Sequence, residues 1–142
     1  MQMEFAMVEA QCRCGEISLT IEGSPLAQVY CHCGDCQDAH GAAYASNSVY
    51  TAGAVRVVRG EPIVTRVKTA PRLMCGACGT HLFTEVTAAD LRSVNAYLLP
   101  EGHFVPEFHL HCDDAVLPVI DGLPHYRRLP SHFGGTGELA DW

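Results

Sequence analysis

The sequence predicts a mostly β protein of short strands and hairpins with little helix, and three observations carry that prediction. Residues 16–22 alternate polar and apolar without a break, the pattern of a strand with one face buried. Residues 55–59 and 63–68 are β-branched runs separated by Gly60, Glu61 and Pro62, which reads as a hairpin with a three-residue loop. Thirteen glycines and eight prolines in 142 residues supply many turns and suit a sheet protein better than a helical bundle. The length fits a single domain over residues 1–142, with one core of modest size.

Taken in order, the chain opens with Glu4 and Glu9 where a secretory leader carries basic residues, and its apolar stretch is short. No run is long enough to span a bilayer. The expectation is a cytoplasmic protein that does not use a membrane, in which eight cysteines signify metal or redox chemistry rather than structural disulfides. Gly23, Ser24 and Pro25 end the first alternating strand, and residues 26–30 can deliver the chain into a cysteine-rich loop. Residues 43–50 read as extended, with a turn at 51–53. Arg56, Arg66 and Lys68 are expected on the polar, solvated face of the hairpin. Residues 71–74 and 81–86 form a strand and a return strand around a tight knuckle. Residues 88–90 could open a helical turn, while 91–96 fit a strand. Residues 107–111 make a last strand, 119–124 a turn, and the glycine-bearing segment 131–142 a mobile tail.

The formal charge of −7, from nine basic and sixteen acidic residues, excludes the concentrated basic surface that a nucleic-acid partner requires. Chemistry is concentrated instead in three clusters: Cys12 with Cys14, then Cys31 with Cys33 and Cys36, then Cys75 with Cys78. Thiolates spaced this tightly can converge on one soft cation, and the glycines at 15, 34, 76 and 79 would let backbone N–H groups face sulfur.

Two, three and two thiols make seven, whereas a structural zinc takes four. Joining the outer pairs gives a closed site from Cys12, Cys14, Cys75 and Cys78. Cys31, Cys33 and Cys36 then remain as a three-ligand set with a vacant position, the pattern of a catalytic zinc. A histidine could instead close this set, drawn from His32, His40, His81, His103, His109 or His111. Cys33 with Cys36, or Cys75 with Cys78, could alternatively cycle as a redox pair, although no βαβ pattern surrounds either. Covalent haem is excluded at Cys75 and Cys78 because Gly79 follows. Cys112 reads as a half-buried strand thiol.

The ordered series Cys-x-Cys-Gly, Cys-His-Cys-x-x-Cys and Cys-x-x-Cys-Gly-Thr resembles the glutathione-dependent formaldehyde-activating enzyme family, whose domain is shared with CENP-V. Phe108, His109 and Leu110, and the segment from Asp121 to Pro124, resemble its closing region, so the likeness covers residues 8–128. The resemblance implies an Mss4-like, zinc-bound β-sheet fold. It implies a structural zinc on Cys12, Cys14, Cys75 and Cys78 and a second zinc on Cys31, Cys33 and Cys36, which would be the catalytic residues.

The implied activity is that of a carbon–sulfur lyase acting on S-hydroxymethylglutathione, with glutathione and formaldehyde as partners. The alternatives are a non-catalytic zinc scaffold and a zinc or thiol redox sensor. Gln37 and Asp38 follow Cys36 where many members carry basic residues, and an aspartate there weakens capture of glutathione's carboxylates. Arg13 and Arg72, beside the other cysteine pairs, are the candidates to supply positive charge. His32 is expected to orient the loop rather than to move protons.

Overall fold

The computed structural model describes residues 7–66, 68 and 70–142. Among these the strands are β1 (Met7–Gln11), β2 (Ser18–Glu22), β3 (Ala27–Cys31), β4 (Ala45–Thr51), β5 (Val55–Arg59) and β6 (Ile63–Arg66). They continue with β7 (Pro71–Met74), β8 (His81–Val86), β9 (Leu91–Asn95) and β10 (Phe108–Leu110), and the α-helix α1 (Gly34–His40) lies between β3 and β4. The fold is mostly β, with two sheets. A small sheet runs β1-β2-β5, and a large one runs β10-β3-β4-β9-β8-β7-β6. Pairing within both is antiparallel except for β10, which lies parallel to β3.

The alternation in residues 16–22 does what it predicts: Leu19 and Ile21 of β2 turn inward and are fully buried. They meet Tyr50, Leu82, Phe83 and Val94 from the large sheet and Val55 from β5 in one core. Each such side chain contributes roughly 1.5–3 kcal/mol by leaving water. A second apolar cluster, with Val29, Ala45, Phe108 and Leu110, gathers around Cys31 and Cys36. The knuckle between β7 and β8 forms as expected, and both readings of residues 88–96 hold, because a short 3-10 turn at Thr87–Ala89 precedes β9.

One expectation is corrected. The two β-branched runs do not pair as a hairpin: β5 bonds to β2 in the small sheet, while β6 bonds to β7 in the large one. Val55 is the physical reason, since it is fully buried against the core that β2 lines, and the chain must leave that sheet before β6 begins. The part of the second run that extends to Val67 lies outside the described residues. The cysteine loop itself contains helix α1, a reading the sequence did not give. The segment 131–142 makes contacts with the body of the protein. Arg127 N–H donates to the Glu138 carbonyl and Ala140 N–H to the His125 carbonyl, and the Trp142 ring lies against those of His32 and His125. Among the described residues no helix is long and apolar enough to cross a membrane.

The turn out of β5 depends on Gly60, whose φ is +81° and whose position leaves no room for a side chain: a Cβ there would stand 2.5 Å from the Glu16 carbonyl oxygen. Gly60→Ala is therefore expected to lower stability by about 2–3 kcal/mol, measured as a fall in the urea midpoint at constant m-value. An unchanged midpoint would contradict this account of the crossing.

Candidate metal centres

Cys12 and Cys14 sit in the turn between β1 and β2, and Cys75 and Cys78 in the turn between β7 and β8, so the two sheets meet where the four thiols meet. Their sulfurs all lie within 4.8 Å of one another. Cys12 Sγ is 3.6 Å from Cys14 Sγ, which is 3.7 Å from Cys75 Sγ. A tetrahedron with zinc–sulfur bonds of about 2.3 Å has edges of about 3.8 Å, so the set fits a zinc ion.

The backbone is shaped to this end. Ile17 N–H donates to Cys12 Sγ and Cys78 N–H to Cys75 Sγ, while Gly79, at φ +76°, closes the knuckle with a 2.8 Å bond from its N–H to the Cys75 carbonyl. Gly15 also uses positive φ, whereas Gly34 and Gly76 do not. The Thr80 hydroxyl, 3.0 Å from Cys78 Sγ, pulls that thiol down to about 5.

The second set is assembled by helix α1. Cys31 ends β3, Cys33 is the helix N-cap, and Cys36 lies in the first turn, where its N–H donates to Cys33 Sγ at 3.3 Å. Their three sulfurs also lie within 4.8 Å of one another, and among the described residues no histidine joins them. The donor set fits a soft divalent ion with a position to spare. Hydrogen bonding from the Cys31 and Cys33 thiols, aided by Arg72, draws Cys36 down to about 3.

Arg72 is the residue whose placement the sequence did not reveal. It comes from β7, is 4% exposed, and reaches across to α1. Its Nη2 donates to Asp35 Oδ2 at 3.1 Å and to Cys36 Sγ at 3.7 Å, and its Nη1 lies 3.5 Å from His81 Nε2. Arg72 thus links the strand leading into the four-sulfur knuckle with the helix of the three-sulfur set. Its position three residues before Cys75 was visible, but nothing local could show that its partner would be a helix 36 positions away. The neighbouring rings of His40 and His81, with centroids 4.3 Å apart, are kept neutral by burial, which lowers them to about 4 and about 3.

His32 turns away from the sulfurs, as an orienting residue would. Its Nε2 lies 2.8 Å from His109 Nδ1, and His109 Nε2 lies 2.6 Å from Asp121 Oδ2. Burial pushes Asp121 upward, but the hydrogen bonds from His109 and the Leu123 N–H outweigh it and hold the carboxylate below its usual range. Gln37 donates to the carbonyls of His32 and Asp114 at 2.7 and 2.8 Å, so it clamps the loop. Asp38 stands 3.8 Å from Lys68, which offsets its charge. Of the basic residues expected on a solvated face, Lys68 thus takes an exposed partner next to α1. Cys112 is buried outside both clusters, and burial pushes its thiol up to about 12.

Two clefts of about 420 and 430 Å³ share His40, Asn95 and Tyr97 as walls. The first extends to Arg13, Cys78 and His81, and the second to Tyr44 and Phe104.

The family model of the glutathione-dependent formaldehyde-activating enzyme matches residues 7–114, a stretch that contains every cysteine of both clusters. The chain belongs to that family. The family's name supplies glutathione and formaldehyde as the small molecules to consider, and the two cysteine clusters are sites that could hold zinc. A crystal structure of a Rhodobacter sphaeroides protein, solved as a structural-genomics target, superimposes with a TM-score of 0.55 at 22% identity. The match covers 66% of this chain and 88% of that one, and it supports the fold alone. No curated protein gives a significant match.

Two outcomes follow from the charges around Cys36. In reduced, metal-free protein the most acidic thiol should alkylate with iodoacetamide well below pH 7. Arg72→Gln should move that titration up by about 1–2 pH units, and an unmoved profile would show that Arg72 does not set it. Because His40 and His81 are neutral in the fold but take up protons near pH 6.5 when unfolded, the unfolded chain binds more protons between those values. Stability should therefore fall as pH drops from about 6.5 towards 4. Urea midpoints across that range should fall less steeply in His81→Gln than in the parent chain.

Proposed function

We propose that this chain is a zinc-dependent carbon–sulfur lyase of the formaldehyde-activating type, which makes or breaks the bond between a thiol and a one-carbon aldehyde. The observation that carries the reading is the difference between the two clusters: four sulfurs satisfy one ion, while Cys31, Cys33 and Cys36 leave a ligand position open. Under this reading Cys12, Cys14, Cys75 and Cys78 hold a structural zinc that ties the small sheet to the large one, and Cys31, Cys33 and Cys36 hold the catalytic one. A zinc ion at the open set would supply an acid centre able to keep an incoming thiol ionised at neutral pH and to polarise a carbonyl.

The chain's own groups account for the rest. In the forward direction the thiol S–H bond breaks and the sulfur bonds to the aldehyde carbon, the carbonyl π bond breaks with its electron pair moving to oxygen, and a proton equivalent to the one lost by the thiol ends on that oxygen. Hydrogen bonds from the Cys31 and Cys33 thiols, with Arg72 in support, keep Cys36 ionised, so the set presents a sulfur ligand without first losing a proton there. His40 borders both clefts and lies close enough to Cys33 to feel its charge; burial lowers it to about 4, so it serves as a neutral wall of the site and the thiol proton is exchanged with solvent. The tripeptide thiol is expected to lie along the cleft walled by His40, Asn95 and Tyr97, with Arg13 at one end to meet a carboxylate.

A second reading, a zinc or thiol sensor, is supported by the same acidic Cys36, because an ionised thiol beside two others is readily oxidised. Mild peroxide would then release zinc from the protein.

Zinc-loaded protein should accelerate exchange between free formaldehyde, glutathione and their adduct, followed by exchange NMR. A rate equal to the uncatalysed background would refute the lyase reading. Cys33→Ala should remove the acceleration and leave the circular dichroism of the fold intact, whereas Cys75→Ala should reduce soluble yield because it opens the four-sulfur site.

A further inference from the structure

Away from the cysteine clusters, one further group of donors converges among the described residues. After β10 the chain loops out and returns so that His109 and His125 pair as parallel bridge partners: His109 N–H donates to the Pro124 carbonyl and Tyr126 N–H to the His109 carbonyl. This register places the two imidazoles on the same side, with centroids 4.5 Å apart. Asp121, on the intervening loop, offers one oxygen to each: Oδ2 is 2.6 Å from His109 Nε2, and Oδ1 is 3.1 Å from His125 Nε2. His109 and His125 are buried, whereas the Asp121 side chain keeps 27% of its surface exposed.

A pair of ordinary hydrogen bonds does not fully describe this arrangement. His125 Nε2 is within reach of the carboxylate yet is not aligned to hydrogen-bond it, and it has no other partner, so a buried ring nitrogen is left unsatisfied. A nitrogen in that position is accounted for if its lone pair addresses an ion shared with Asp121. His109 is equally prepared, because its far nitrogen Nδ1 lies 2.8 Å from His32 Nε2, the outer hydrogen-bond partner that ligating histidines usually have.

We infer that His109, Asp121 and His125 form a third metal site, separate from both cysteine clusters, for a divalent transition ion. Two imidazoles and a carboxylate are borderline-hard donors that suit Zn²⁺, Fe²⁺ or Co²⁺ and differ in kind from the all-sulfur sets. The three donors leave coordination positions free, and the part-exposed carboxylate gives the ion a way in. Trp142 lies over the cluster, with its ring centroid 5.0 Å from that of His125 and 6.1 Å from that of His109. It is the chain's single tryptophan.

That tryptophan is the natural reporter. The cysteine sites are first filled with Cd²⁺, which thiolates hold tightly, and Co²⁺ is then added while Trp142 emission is followed. The expected result is saturable quenching with one Co²⁺ per chain, weakened at least about ten-fold in both Asp121→Asn and His125→Phe. These variants are close in shape to the native side chains, and their circular dichroism is compared with that of the parent before titration. A cadmium-filled parent with no saturable quenching would overturn the proposal. So would folded variants that titrate like the parent. Should His125→Phe fail to fold, Asp121→Asn alone decides the matter. The outcome does not depend on whether the cysteine clusters catalyse any reaction.

Discussion

Three sulfur atoms within 4.8 Å of one another cannot all carry charge unless cations stand among or beside them. At this spacing the mutual repulsion of thiolates outweighs any single backbone hydrogen bond. The fold relieves it with two kinds of cation. One is a metal ion, which each cluster could hold, and the other is the Arg72 guanidinium, buried between Cys36 and Asp35. An arginine this deeply buried is tolerable only because Asp35 and the acidic thiol accept its hydrogen bonds. Removing either partner would leave a charge stranded in the protein interior.

The same constraint explains the topology. The four-sulfur cluster draws its ligands from adjoining turns of the two sheets, β1–β2 and β7–β8, so an ion there would link the small sheet to the large one. The three-sulfur cluster is local, contained within six residues that turn from β3 into α1. Its ligands therefore owe their arrangement to the helix and to contacts from outside: Arg72 from β7, Gln37 bridging to Asp114, and the chain from His32 through His109 to Asp121. One centre serves cohesion between sheets, while the other is a local loop propped into shape. That division is the one the proposed function requires, with a closed structural ion and an open reactive one.

Much of this was legible in the residues. The alternation from 16 to 22 marked β2 and its inward face, and the cysteine spacings identified which thiols belong together, because a Cys-x-x-Cys knuckle is a local device. What the sequence could not show was long-range. The β-branched runs at 55–59 and 63–66 have strand character but belong to different sheets, since a strand's propensity does not name its partner. Arg72 and His81 alternate along ordinary strands, and only the packing of α1 against them turns them into the surroundings of Cys36. Asp38 illustrates the reverse: in sequence it opposes binding of an anionic thiol, yet in space Lys68 stands beside it.

The claim on which the rest turns is that the two cysteine clusters differ in whether a ligand can be added. Loading both with cadmium and recording ¹¹³Cd NMR tests it directly. The account predicts two resonances, one in the range of four-sulfur coordination that stays fixed, and one at lower sulfur number that shifts when glutathione is titrated in. Two fixed resonances of fully coordinated cadmium, unmoved by saturating glutathione, would contradict it.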